Sequence, residues 1–433
     1  MNAKVKKLVL KNLILKLFMK DLIKFTFKIY GYILRIEYYF SSRIFFIFQK
    51  LRGTNYKKRL NYISNIQTLK RDLNKNNIKR IAIFVAFHSS NEIPESNINY
   101  IKLLKNSFFD IIYVHNGKLK KEVRKNLNDL GCFLICRENI GQDFGAWKDT
   151  ISLLNEYKLI NKVDWLLLCN DSNFCLGGKN AALFQNRFKK TLNIKNKKFD
   201  FISLNCNFEG SLHYQSYFLC LSKKIIENAK FKNFWRDYTP LNNRYHAIKK
   251  GEIGFSKLVL NQYRSKVLLT SNKLCQNISE DLIQDFKSIS NLLPQYFFYL
   301  EACFDLYDPK NSQNINLGIS RLINSLESYN QSHVFGLLNI AYLKSPFLKK
   351  DIVRIGLFSI NQIHQLLIST NLKIDESLKN EIINFLTTQG TPNSYADSRR
   401  IAIRKGIPLF KNLYEYLPLS RTLKFLYDEK NKK

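Results

Sequence analysis

Through its centre the chain alternates short apolar runs with longer stretches of helical periodicity. Lys79–Phe87 (KRIAIFVAF), Phe108–Val114 (FFDIIYV), Cys132–Cys136 (CFLIC) and Val163–Cys169 (VDWLLLC) are continuous, of strand length and rich in Ile, Val, Leu and Phe. Such runs predict strands buried on both faces, as in a parallel sheet. Phe199–Leu204 and Tyr217–Leu221 repeat the pattern, Lys266–Leu269 is a further short run, and intervening stretches such as Lys118–Leu130 read as helices. The alternation predicts an α/β fold: a mostly parallel, Rossmann-like sheet flanked by helices, with ligands beyond the carboxyl ends of the strands. The polar residues that follow the runs are then the ones to inspect: His88 and Ser89, His115 and Asn116, Glu138 and Asn139, and Asn170–Asn173.

The flanks have a different pattern. Residues 1–50 mix apolar side chains with Lys16, Lys20, Lys24 and Lys28, and that spacing lines the ammonium groups along one side of a helix. No uncharged run there approaches the ~20 residues that span a bilayer, and no small-residue cleavage site follows. Two readings fit: a basic amphipathic helix lying on anionic headgroups, or a helix packed on the protein's own surface or used in self-association. From about Leu292 the stretches Leu317–Leu326, His333–Leu343 and Ile352–Ile368 predict helices and carry no cluster of catalytic residue types. Arg404–Lys430 alternates basic residues with Leu, Phe and Tyr, the pattern of a second membrane-surface contact. The expected division is a basic amphipathic segment and connector over 1–76, an α/β domain over 77–290 and a helical C-terminal region over 291–433.

Composition narrows the partners. Hydrophobic residues make up 45% of 433, enough for a sizeable core, and 69 Lys and Arg against 34 Asp and Glu leave a formal charge of +35. That field favours anionic partners: nucleic acid, acidic lipid or phosphorylated substrates. Lys, Asn and Ile are abundant everywhere and the basic residues form no single module, so no nucleic acid is expected. The eight cysteines include no CxxC pair and read as reduced core residues of a cytosolic enzyme.

Three motifs bear on chemistry. Arg137–Asp149 (RENIGQDFGAWKD) puts Asn139, Gly141, Asp143 and Gly145 at a strand-to-helix turn, where glycine lets backbone approach a ligand and a helix start offers N–H groups to phosphate or sugar. Asp143 there either binds sugar hydroxyls or favours the helix start. Trp165–Asn173 (WLLLCNDSN) delivers Asn170, Asp171, Ser172 and Asn173 at a strand end. Asp171 there suits a divalent metal that neutralises a diphosphate, while Asn-Asp-Ser also suits an ordinary turn. Glu252 precedes the amphipathic IGFSKLVLNQ, placed either to take a proton from an acceptor hydroxyl or to cap a helix. His213, Gln215 and Tyr217 (HYQSYF) and Phe231–Trp235 (FKNFW) are polar and aromatic groups that suit sugars or a core equally.

Taken in order, ENIGQDFGAWKD, CNDS, HYQSYF, FKNFW and GEIGFSKLVLNQ resemble the rhamnan synthesis protein F family of polysaccharide glycosyltransferases over roughly residues 79–270. The layout also resembles the GT-A fold, with CNDSN where a metal-binding Asp-x-Asp stands and GEIGFS where a Glu-Asp base motif stands. The resemblance implies catalytic roles for Asp171 and Glu252, with Asp171 the metal ligand for Mg²⁺ or Mn²⁺. Residues after the strand runs and within these motifs, His88, Asn116, Asn139, Gly141, Asp143, Asn170, Ser172, His213 and Gln215, are the candidate donor and sugar contacts. Asn170 and Asn173 replace carboxylates of the first motif, and Ile253 replaces the second acid of the other. The implied reaction moves a sugar, rhamnose by the family's name, from a nucleotide-sugar donor to a lipid-linked glycan. The implied place is the cytoplasmic side of an anionic inner membrane, with the protein attached peripherally.

Overall fold

The computed structural model describes residues 56–64, 66–74, 79–88, 91–192, 198–208, 211–284, 292, 330–354 and 374–389, with scattered positions at 25–48 and 358–366. Lys16, Lys20, Lys24, Lys28, Ser89, Leu317–Leu326 and Arg404–Lys430 lie outside the described residues. The chain divides into two compact units, Met1–Phe48 with Thr391–Lys433, and Gln49–Gly390. In the first unit the described residues are helical and expose large apolar side chains, among them Phe25, Tyr32, Ile36, Tyr39 and Phe40. Among the described residues no helix is long and apolar enough to cross a membrane.

The second unit is built on strands β1 (Leu60–Ile63), β2 (Arg80–Ala86), β3 (Asp110–Asn116), β4 (Phe133–Arg137), β5 (Trp165–Asn170), β6 (Asn173–Cys175), β7 (Phe201–Ser203), β8 (Cys206–Asn207), β9 (His213–Tyr214), β10 (Phe218–Ser222), β11 (Ser265–Val267) and β12 (Phe347–Lys349). Eight of them form one sheet in the order β1-β4-β3-β2-β5-β10-β7-β11. The block β4-β3-β2-β5 is parallel, as the apolar runs predict. Two features depart from the expected pattern. β10 runs antiparallel between β5 and β7, because no helix intervenes between β7 and β10 to carry the chain back across the sheet. The supposed connector contributes β1, antiparallel to β4 at the sheet edge.

Burial explains why the central runs are continuous. Along β2, Ala82, Phe84 and Ala86 join one apolar cluster, while Ile81, Ile83 and Val85 join another on the opposite face. Successive side chains of a strand point to opposite faces, so a strand covered on both must be apolar throughout. The first face is covered by helices α1 (Glu95–Lys105), through Tyr100, Leu103 and Leu104, and α2 (Gly178–Thr191), through Phe184 and Phe188. The second is covered by α3 (Gln142–Glu156), through Phe144, Trp147, Ile151 and Leu154. At about 1.5–3 kcal/mol for each large side chain removed from water, these layers supply the main stabilisation.

The segment 330–350 joins the same unit. β12 pairs antiparallel with β6, matching Lys349 with Asn173, and Leu337, Ile340, Leu348 and Ile352 enclose Phe174 and Leu176 in a third apolar cluster. A short strand far along the chain is thereby fixed beside the end of β5.

Candidate active site

Parallel register brings the ends of β3, β2 and β5 side by side, pairing Ala86 with His115 and Val85 with Asn170. Beyond them the backbone of Asp171 donates to Val85 O at 3.0 Å, and the Asp171 carboxylate accepts from the N–H of Phe87 at 3.0 Å. Asp171 is thus held across two strand ends. Asn170 makes the turn: its Oδ1 accepts from Ser172 N–H at 3.2 Å and from Ser172 Oγ at 2.6 Å. Its Nδ2 donates to Asp143 Oδ2 at 2.7 Å. Turn and site are therefore the same structure here, since the amide that shapes the turn also fixes a carboxylate on another element.

Asp143 lies in the first turn of α3, where negative charge suits the helix N-terminus. The turn before it is left-handed at Gly141 (φ 79°) and Gln142 (φ 52°). A Cβ on Gly141 would lie 2.3 Å from Pro240 Cβ, and its N–H donates to Asn242 Oδ1 at 2.7 Å. This glycine serves close packing against the 238–242 loop. Asp143 is half-buried and ringed by protein. That desolvation, then the charge of Asp171, and to a smaller extent Glu252, push its carboxyl up to about 7; Lys349 and the Asn170 hydrogen bond oppose the rise.

Glu252 closes a π-helical turn, Ala247–Glu252, ahead of the helix Ile253–Val259, a distortion that recurs at functional positions. Its side chain makes no cap bond to that helix and instead accepts from the N–H of Ser216 at 2.7 Å. A Cβ on Gly251 would meet the Phe144 ring at 2.8 Å, so GEIG and QDFG press directly on each other. Two motifs distant in sequence are in this way brought into one site.

Sequence reasoning missed Lys349. Its ammonium donates to Ser172 Oγ at 2.7 Å and lies 4.5 Å from the centre of the Tyr217 ring. Burial pulls it down to about 8, against the favourable charges of Asp351 and Glu252. A hydrogen-bonded chain therefore runs Lys349–Ser172–Asn170–Asp143. Arg244 pairs with Asp351 at 3.2 Å beside it.

The other predicted residues are placed as follows. The His88 ring stands 4.7 Å from that of His115, and its Nε2 lies 3.2 Å from Tyr113 Oη; burial lowers the His115 imidazole. Asn116 is buried and accepts from Arg137, in a network where Asp149 binds Arg137 at 3.0 Å and Arg59 at 2.6 Å. Asn139 is exposed. His213 is buried with Nδ1 2.7 Å from Ser211 O, and Gln215 accepts from Asn330 at 3.3 Å. The geometry brings together Asp143, Asn170, Asp171, Ser172 and Glu252 and adds Lys349. Among the described residues no group of three or more His, Cys, Asp or Glu has the spacing of a metal cage.

Comparisons with known proteins bear on the same span. The chain is 26% identical over 194 residues to uncharacterized protein y4gN of Sinorhizobium fredii (strain NBRC 101917 / NGR234), covering 44% of this chain and 48% of that protein. It is 26% identical over 244 residues to protein TIC 214 of Physcomitrium patens, covering 52% of this chain and 14% of that one. The chain thus spans about half the length of the first of these relatives and far less of the second. Among solved structures it is similar to the glycosyltransferase GlyE of Streptococcus pneumoniae TIGR4, at 15% identity and a TM-score of 0.28, over 57% of this chain and 63% of that one. The family model for rhamnan synthesis protein F matches residues 111–350, past the end of the motifs near residue 270 and through Lys349. That match takes in more than half of the chain, which belongs to the rhamnan synthesis protein F family.

Proposed function

We propose that the chain is a glycosyltransferase of bacterial surface-polysaccharide assembly, with a GT-A-like arrangement of its site. The observation that carries the reading is the convergence of Asp143, Asp171 and Glu252, from three separate motifs, within the span of the family match. A perturbed carboxyl group such as Asp143 in company with others beyond the strand ends marks a candidate functional site. The donor is a nucleotide sugar, dTDP-rhamnose in the simplest case, and the acceptor a lipid-linked glycan. Glu252 takes the proton of the acceptor hydroxyl as its oxygen attacks the anomeric carbon, and the bond from that carbon to the diphosphate breaks, with inversion. Asp143, Asn170 and Ser172 hold donor hydroxyls or phosphate.

Mg²⁺ or Mn²⁺ suits Asp171, since one carboxylate with the donor's phosphates can hold such an ion. The raised Asp143 carboxyl marks a site that added positive charge would relax. Bound there, the ion would supply charge neutralisation at the diphosphate. The exposed apolar side chains at residues 25–48 support peripheral attachment to the cytoplasmic face of the inner membrane.

The test is transfer by the purified chain from dTDP- and UDP-sugars to a lipid-linked acceptor, read by mass spectrometry, with product configuration by NMR. Rhamnosyl transfer with inversion is expected. Retained configuration would remove Glu252 as the base. Failure to bind or transfer from every nucleotide sugar would sink the enzyme reading in favour of a non-catalytic scaffold.

A further inference from the structure

Lys349 is a buried ammonium whose direct contacts among the described residues are neutral. It is 9% exposed, and it touches the Ser172 hydroxyl and the face of Tyr217. Its carboxylate neighbours, Asp351, Glu252 and Asp143, act on it as charges at longer range. Enclosing an ammonium without a directly bonded carboxylate is costly, and an anion arriving beside it would offset that cost. Ser172 follows Asp171 directly in sequence, so the ammonium stands one hydrogen bond from the turn at which donor phosphates are expected.

The anchoring is built from both sides. β12 is paired to β6, the strand that leaves the Asn170–Ser172 turn, and the backbone N–H of Lys350 donates to Ser172 O at 3.0 Å. Backbone and side chain thus hold the same residue, which fixes the charge before any ligand binds. A pre-positioned cation of this kind needs no reorganisation when negative charge develops, and lysine serves phosphate as a point charge.

We infer that Lys349 is a positioned cation for the diphosphate of the nucleotide-sugar donor, contributed by the C-terminal strand to the site around Asp171. The inference rests on the transferase reading above. It makes β12, which lies within the residues matched to the family, part of the donor site.

The test is calorimetric titration of the full chain with dTDP, UDP, thymidine and uridine, in EDTA and again with Mn²⁺. Lys349→Gln keeps a donor for Ser172 and removes the charge. It should weaken nucleoside diphosphate binding tenfold or more and leave nucleoside binding unchanged, while Lys349→Arg keeps most of the affinity. Lys349→Met, uncharged and of similar length, should weaken the diphosphates as much and serves if Lys349→Gln fails to fold. Diphosphate binding by folded Lys349→Gln or Lys349→Met within twofold of wild type overturns the inference while the transferase reading stands. Wild-type protein that binds neither diphosphates nor nucleosides overturns both.

Discussion

Two of the three acids on helix α3 have opposite surroundings. Asp149 is fully buried between two guanidinium groups, Arg59 at 2.6 Å and Arg137 at 3.0 Å, and Arg137 is further held by Asn116 and Ile140 O. Asp143, two turns earlier, faces Asp171 and Glu252 and is raised towards neutrality. The first cluster matches charge with charge and ties β4, α3 and the segment before β1 together. The second sets Asp143 beside like charges that Lys349 and Asn170 only partly offset. Sites that break local rules while their surroundings obey them are where function is expected. One helix thus fixes the scaffold with Asp149 and presents chemistry with Asp143.

The sharpest way to break that comparison is Asp149→Ala. It leaves two buried guanidinium groups without their carboxylate, at a cost of about 3–5 kcal/mol, a large share of a domain's stability. Denaturant unfolding should show the loss, or no folded protein should be recovered. If stability fell by less than about 1 kcal/mol, Asp149 would not be the structural acid.

Glu252→Gln comes next. Glutamine keeps an acceptor for the Ser216 N–H and removes the base, so Tm should hardly move while transfer falls by about 10²–10⁴-fold. Donor binding should survive, which separates this loss from a failure to hold the nucleotide sugar.

How much of this was legible in the sequence follows from how local each interaction is. The central strands fall within a few residues of their expected places because burial on both faces leaves an unbroken apolar run. β1 (LNYI) escaped notice because it is a four-residue edge strand, mostly half-exposed, inside a lysine-rich stretch. β12 (FLK) is too short to show a period, and Lys349 meets Ser172 across 177 positions, a contact no local pattern can announce. Asp171 and Glu252 were readable as acids at element ends, whereas their environment required the fold. Asn116 and Gly141 stand where ligand contacts were expected, yet the geometry commits one to Arg137 and packs the other on Pro240.

Asp143→Asn tests the under-compensated side directly. With the native carboxyl at about 7 and its ordinary value 3.8, the folded state binds a proton more tightly than the unfolded one. Stability is therefore complete below about pH 4, falls as pH rises through 7 and stays lowered above it. Asparagine removes that penalty and still accepts from Asn170. At pH 8, in EDTA, the variant should be more stable by about 1–3 kcal/mol, the pKa displacement discounted for partial exposure, and at pH 4 indistinguishable from wild type. A variant equally stable at both pH values would remove Asp143 from the strained site.

The smallest effect is expected at Asn139, which shares the ENIGQD motif with Asp143 but is exposed. Surface substitutions away from special features stay within about 0.5 kcal/mol, so Asn139→Ala should leave both Tm and nucleoside diphosphate affinity unchanged. The variant separates two explanations of the motif. If only the residues facing Asn170 and Phe144 matter, alanine at 139 is silent and the boundary of the site falls between Asn139 and Gly141. A tenfold loss of diphosphate affinity at unchanged stability would extend the site over the outer rim of the turn. Two surfaces of one turn, and not two acids of one helix, would then be the division that separates scaffold from chemistry.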